Sequence, residues 1–211
     1  MSEDALYISL EAKNRKILKG MPFEVVEAIQ INNDYEVDPI PSYNLLKETV
    51  LDIMKKSKHQ VVVIDGISDI PRWAEKVVIK EIQKKHPENR TIGKENLAGW
   101  AARNNLAYMP MERMAMWAEV KDRIVIATTL MTDEYFGEKK VGVCVDAKPR
   151  LRKIADVRVM LTNDGRGHLA HFEKMPVWAA EGKSPMAIGK GELAVEFSKR
   201  GILSQGDENN E

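Results

Sequence analysis

The chain has 211 residues and a mass of 23.9 kDa, with 32 basic and 32 acidic side chains, 44% hydrophobic and 30% charged residues. That mixture excludes a wholly disordered or collagen-like chain. Zero net charge and a pI near 6.9 supply no global attraction to nucleic acid or to an anionic membrane, so such binding needs a local patch. The one cysteine, Cys144, excludes an internal disulfide framework and a multi-cysteine zinc site.

The opening MSEDALYISLEAKNRK lacks the basic flank and long apolar run of a signal peptide. Apolar runs such as VVVI at 61–64 fall far short of the roughly 20 residues of a membrane span, so a cytoplasmic protein with no membrane partner is expected. The length suits one decorated domain over residues 1–202, followed by an acidic flexible tail at 203–211.

ALYISL at 5–10 reads as a buried strand that leads directly into Glu11. EVVEAIQI at 24–31 fits a strand or an amphipathic helical turn. NNDYEVDPIP at 32–41 has two prolines and no periodicity, which predicts a loop. Ser42 is the expected N-cap of a helix through about Lys58, with Leu45, Leu46, Val50, Ile53 and Met54 on its apolar face.

QVVVIDG at 60–66 is apolar on both sides, as a central parallel strand is, and it ends on Asp65 and Gly66. A second helical segment is predicted from Ser68 to Lys85, with Pro71 in its first turn. A long helical stretch from about Leu97 to Val120 contains Pro110, which is expected to kink or restart it. DRIVIATTLM at 122–131 is another buried strand, ending in Thr128 and Thr129, and VGVCVDA at 141–147 is a further apolar strand. Residues 156–174 read as a hairpin around the turn NDGRG, and 189–200 as a short helix stopped by Gly201.

This alternation predicts an α/β fold with a mostly parallel sheet flanked by helices and a C-terminal β-hairpin. Ligands of such sheets bind outside the carboxyl ends of the strands. Glu11, Asp65, Thr128 and Thr129 all fall at strand ends. A carboxylate there can hold Mg²⁺, usually through water, and VVVIDG has the apolar-run-then-Asp form of a Walker B element. Asp65 could instead cap the segment after it. If the two strands are neighbours, Asp65 would hold the metal while Glu11 orients an attacking water. Thr128 and Thr129 could sense a γ-phosphate. A metal-dependent hydrolase or nuclease using the same carboxylates finds no nucleophile motif. His168 and His171 fall on opposite faces of their strand, which argues against joint coordination.

The order of ISLE at 8–11, VVVIDGISD at 61–69, NLAGWAARNN at 96–105, IVIATTLMTDEYFG at 124–137, KPRLRKIADVRVML at 148–161 and HFEK at 171–174 resembles the RecA-like P-loop ATPase core. More narrowly, it is similar to phage- and prophage-type nucleotide-binding proteins of the AAA class. The resemblance covers about residues 5–175 and implies ATP and Mg²⁺ as ligands, Glu11 and Asp65 as catalytic residues, and Asp65 as metal ligand. It also implies a homo-oligomer or a partner ATPase subunit, and DNA recombination or replication as the setting. The sequence departs from the pattern at one point: no G-x-x-x-x-G-K-S/T occurs in it. The fold is then expected to be incomplete at its N-terminus, through a fragment, a late start or natural loss, and the chain to be inactive. The hairpin has Lys174, but Pro176 stands where such ATPases often carry an arginine. The alternative is a non-catalytic ATPase-like module that binds DNA or a partner subunit. KPRLRK supplies Arg150, Arg152 and Lys153 as the candidate nucleic-acid contacts, or else as a solvated face.

Overall fold

The computed structural model describes residues 4–12, 18, 20–85, 97–136, 138–145, 154–163, 165, 167–175, 186–189 and 192–200. It divides into two compact units, Met1–Leu151 and Arg152–Glu211.

The first unit is built on a four-stranded sheet of order β2-β1-β3-β4, where β1 is Ala5–Ser9, β2 Glu24–Glu27, β3 Val61–Asp65 and β4 Ile124–Thr128. Every pairing is parallel, as the two-sided apolar runs predicted. Helix α1 (Pro39–Lys56) joins β2 to β3, while α2 (Ile70–Lys85) and α3 (Leu97–Lys121) lie between β3 and β4. Both connections advance in the same direction across the sheet. Right-handed crossovers therefore place all three helices on one face, and the three pack on one another.

That face buries Leu6, Ile8, Val62 and Ile64, each no more than 3% exposed, with Tyr43, Leu46, Ile70, Trp73 and Met114 in the core. The register Tyr7↔Val63↔Ile126 and Ser9↔Asp65↔Thr128 puts those six residues on the other face. The expected buried strand at 122–131 is shorter, Ile124–Thr128, and lies at the sheet edge, where it is open on both faces and Ile126 is 41% exposed. The ring of Phe23 stacks on Tyr7 at 5.6 Å between centroids. The first unit also contains an antiparallel pair, β5 (Met131–Phe136) with β6 (Lys139–Val145). The apolar run at 141–145 is thus paired antiparallel with β5, and residues 146 and 147 of the predicted strand lie outside the described residues.

Two sequence expectations about the helices are corrected. Helix α1 starts earlier than predicted, because Asp38 is its N-cap: the Asp38 carboxylate accepts from the Ile40 N–H at 3.3 Å, and Pro39 occupies the first turn. The prolines read as loop formers are suited to a helix start, where their missing N–H costs nothing. Ser42 is not the cap. It is buried inside the helix, and its Oγ accepts from the Gln30 N–H at 2.9 Å, fixing the end of the preceding segment.

Helix α3 is continuous through Pro110. Proline has no N–H to donate to the carbonyl four residues back, that of Leu106. Here the Tyr43 hydroxyl from α1 donates to that carbonyl at 2.7 Å. A tertiary hydrogen bond thus replaces the helical one, and the freed carbonyl is satisfied without a break. Burial pushes the Tyr43 phenol up to about 12, with Arg113 opposing, so it stays protonated as a donor.

The second unit is a three-stranded antiparallel sheet, β7 (Arg158–Asn163), β8 (His168–Lys174) and β9 (Met186–Ile188), followed by α4 (Glu192–Lys199). The predicted hairpin is present, and β9 extends it. Its turn is held by Asn163, whose side-chain oxygen accepts from the Gly165 N–H at 2.8 Å, with Gly165 at φ +83. The Arg200 guanidinium lies 3.9 Å from the Phe172 ring centroid and bonds Glu196 at 2.7 Å.

Candidate site at the strand ends

Parallel strands that begin level also end level. Asp65 pairs in register with Ser9 on one side and Thr128 on the other, and Glu11 lies two residues beyond Ser9. The chain therefore brings Glu11, Asp65, Thr128 and Thr129 to one edge of the sheet, as the sequence predicted.

The details of the cluster were not predicted. Asp65 Oδ2 accepts from the Tyr7 hydroxyl at 2.6 Å, and Asp65 Oδ1 accepts from the Thr128 hydroxyl. The Gly66 N–H donates to Thr128 Oγ1 at 3.1 Å. The carboxylate is thus gripped from both neighbouring strands, by one hydroxyl on each oxygen. Burial, then the hydrogen bond and charge of Asp65, then the charge of Glu11, push the Tyr7 phenol above its ordinary range, so it remains a donor. In the sequence Tyr7 is one residue of the six-residue run ALYISL. Its one available signal is parity: Tyr7, Ser9 and Glu11 share a face of the first strand.

Glu11 reaches from the end of β1 to the backbone after Asp65, at the end of the neighbouring strand β3. A Cβ built on Gly66 would lie 2.7 Å from Glu11 Cγ and 3.2 Å from its Oε1. Gly66 also has φ +92, in the left-handed region that favours glycine. The Asp-Gly step therefore does two things: it turns the chain out of β3, and it leaves space for Glu11 beside Asp65. Ser9 supports the start of this turn by donating from Oγ to the Glu11 carbonyl at 3.1 Å.

Thr128 is committed inside the cluster: its hydroxyl hydrogen points at Asp65. Binding an incoming anion through that hydrogen would require release of Asp65. Thr129 faces a different partner, Ser68, at 2.9 Å between hydroxyl oxygens, and Ser68 Oγ accepts from the Leu130 N–H at 3.0 Å. Ser68 ties the turn after β3 to the end of β4.

Among the described residues no group of three or more His, Cys, Asp or Glu side chains is placed to hold a metal ion. Glu11 and Asp65 are two carboxylates at one edge, both at the ends of neighbouring parallel strands. Residues 150, 152 and 153, the predicted nucleic-acid contacts, lie outside the described residues, as do 176 and 201. In the second unit the Lys174 ammonium donates to the carbonyl of Ala155, and His171 Nε2 lies 3.0 Å from Thr162 Oγ1. His168 and His171 do not converge on one ligand position. None of the described helices is long and apolar enough to cross a membrane.

A scan against protein-family models matched none, and a search of curated proteins found no relative. What stands is the class: an α/β protein with a parallel sheet and a polar carboxylate cluster at the carboxyl ends of its strands.

Proposed function

We propose that the chain is the core of a RecA-like ATPase from a phage-type DNA recombination or replication system, lacking its phosphate-binding loop and inactive by itself. The observation that carries this reading is the meeting of Glu11, Asp65 and Thr128 at one strand-end edge, with Asp65 held by Tyr7 and Thr128. Bound Mg²⁺ would supply charge neutralisation for a nucleotide triphosphate. Asp65 would hold the water shell of that ion. Glu11, across Gly66, would orient a water molecule. Thr129, with Ser68, would mark the far side of the site.

The sequence carries no phosphate-loop motif to cradle the triphosphate. A phosphate site of this class needs convergent backbone N–H groups at a helix N-terminus and a lysine, and no G-x-x-x-x-G-K-S/T occurs in the sequence. Phosphoryl transfer depends almost wholly on positioning and electrostatic stabilisation. The purified 211-residue chain is therefore expected to release no inorganic phosphate from ATP above background, with or without Mg²⁺. Robust Mg²⁺-dependent turnover lost in Asp65→Ala would contradict the inactive reading. The same turnover, unaffected by Asp65→Ala, would remove the strand-end site from the account.

One observation favours a second reading, a non-catalytic ATPase-like module that binds DNA or a partner subunit. Both oxygens of Asp65 are satisfied by the chain's own hydroxyls, which gives the residue a structural use without any metal.

A further inference from the structure

The opposite end of the sheet, where the strands begin, carries a second feature. Val61 pairs with Ile124, and the Ile124 N–H donates to the Gln60 carbonyl at 3.0 Å, so the segments that precede β3 and β4 are locked side by side. Both segments are basic: KKSK at 55–58, and Lys121 with Arg123. Together they wall a cavity of about 240 Å³, in which Lys55, Lys56, Lys58, Lys121 and Arg123 are five of eight lining residues and none is acidic. The chain as a whole has as many acids as bases, so this is local segregation and not a sample of a basic surface.

Helix ends explain part of it. Lys55, Lys56 and Lys121 sit in last turns, where the dipole favours cations. Lys58 and Arg123 lie beyond the helices. The final turns are also closed by the backbone, with the Ser57 N–H donating to the Ile53 carbonyl at 2.9 Å and the Arg123 N–H to the Ala118 carbonyl at 2.8 Å. The lysines are therefore not needed as caps. Lys56 is paired with Asp52 at 3.1 Å, and Arg123 donates to Gln60 Oε1 at 2.5 Å. Among the described residues Lys55, Lys58 and Lys121 have no such partner, and all three are exposed.

We infer that this concave basic patch binds the phosphate backbone of single-stranded nucleic acid, without reading its bases. Clustered cations gain from an anion that neutralises several of them at once and releases its counterions. Base stacking needs an open aromatic face, and the aromatic residue here, Trp117, is 5% exposed. Contact is thus with phosphate and indifferent to sequence. A flexible strand can turn successive phosphates into a small cavity, which a stiff duplex cannot. This inference does not depend on whether Asp65 holds a metal.

The test is fluorescence anisotropy of a labelled oligothymidylate across a range of salt concentrations. The groove variant is K55Q/K58Q/K121Q. The charge-matched control is K76Q/K80Q/K84Q on α2. Three phosphate contacts contribute about 0.7 each to the salt slope, so the groove variant should flatten that slope by about two units and weaken low-salt binding by about tenfold or more. The control should bind like the parent. A labelled oligoadenylate should bind equally. The inference is overturned by absent binding at low salt, by equal weakening in groove and control variants, or by displacement at millimolar inorganic phosphate. Loss confined to Arg150→Ala/Arg152→Ala would also overturn it and return nucleic-acid contact to the KPRLRK segment.

Discussion

Tyr43→Phe is expected to lower stability by about 1–3 kcal/mol, the cost of leaving a buried polar group unsatisfied. Tyr43 is 1% exposed, and its hydroxyl is the donor that serves the Leu106 carbonyl opposite Pro110. Urea denaturation should show a lower midpoint with an unchanged slope. The diagnostic comparison is a double-mutant cycle with Pro110→Ala, which restores an N–H to the helix. In that background Tyr43→Phe should cost markedly less, because the carbonyl regains its own donor. An equal cost in both backgrounds would sink the pairing. The sign of the pH dependence follows from the raised phenol. Its contribution is full below the ordinary tyrosine value of 10.0 and is lost as pH rises through about 12. Tyr43→Phe should lack that alkaline loss.

Gly66→Ala is expected to cost about 2 kcal/mol or more. A residue with a Cβ pays about 1–2 kcal/mol in the left-handed region, and here the Cβ would also sit 2.7 Å from Glu11 Cγ. The two contributions can be separated. Adding Glu11→Ala removes the clash and should recover that part alone, while the backbone cost stays. Thermal denaturation of the two single variants and the double variant gives the division. A neutral Gly66→Ala would mean that neither the positive φ nor the close approach of Glu11 constrains this turn.

The parallel sheet was legible because VVVI at its centre is apolar on both sides; IVIA has the same pattern yet forms the exposed edge strand β4, so the pattern does not separate a central strand from an edge strand. The shared edge of Glu11, Asp65 and Thr128 followed, since parallel strands carry their ends together. Other features depend on register or on tertiary partners. That Tyr7 reaches Asp65 requires knowing that Ser9 stands beside Asp65, and no periodicity contains that. Pro110 reads as a break because its compensating donor, Tyr43, lies 67 residues earlier in the chain. Asp38 is hidden as an N-cap because Pro39 and Pro41, which suit a helix start, equally suit a loop. The β5–β6 pair was missed because MTDEYF mixes polar and apolar residues, and its strand character comes from pairing with the apolar partner. The absence of a phosphate loop, by contrast, is a property of sequence alone and needs no fold to establish.

The proposed divalent-cation site centred on Asp65 is tested most directly by Mn²⁺ titration of the isotopically labelled chain, followed by paramagnetic broadening of backbone amide resonances. At low Mn²⁺ the amides of Glu11, Gly66 and Thr128 should broaden first. Excess Mg²⁺ should restore them, and Asp65→Asn should abolish the effect while leaving the rest of the spectrum in place. Broadening that begins elsewhere, or that survives Asp65→Asn unchanged, would contradict the claim and leave Asp65 as a structural tie between Tyr7 and Thr128.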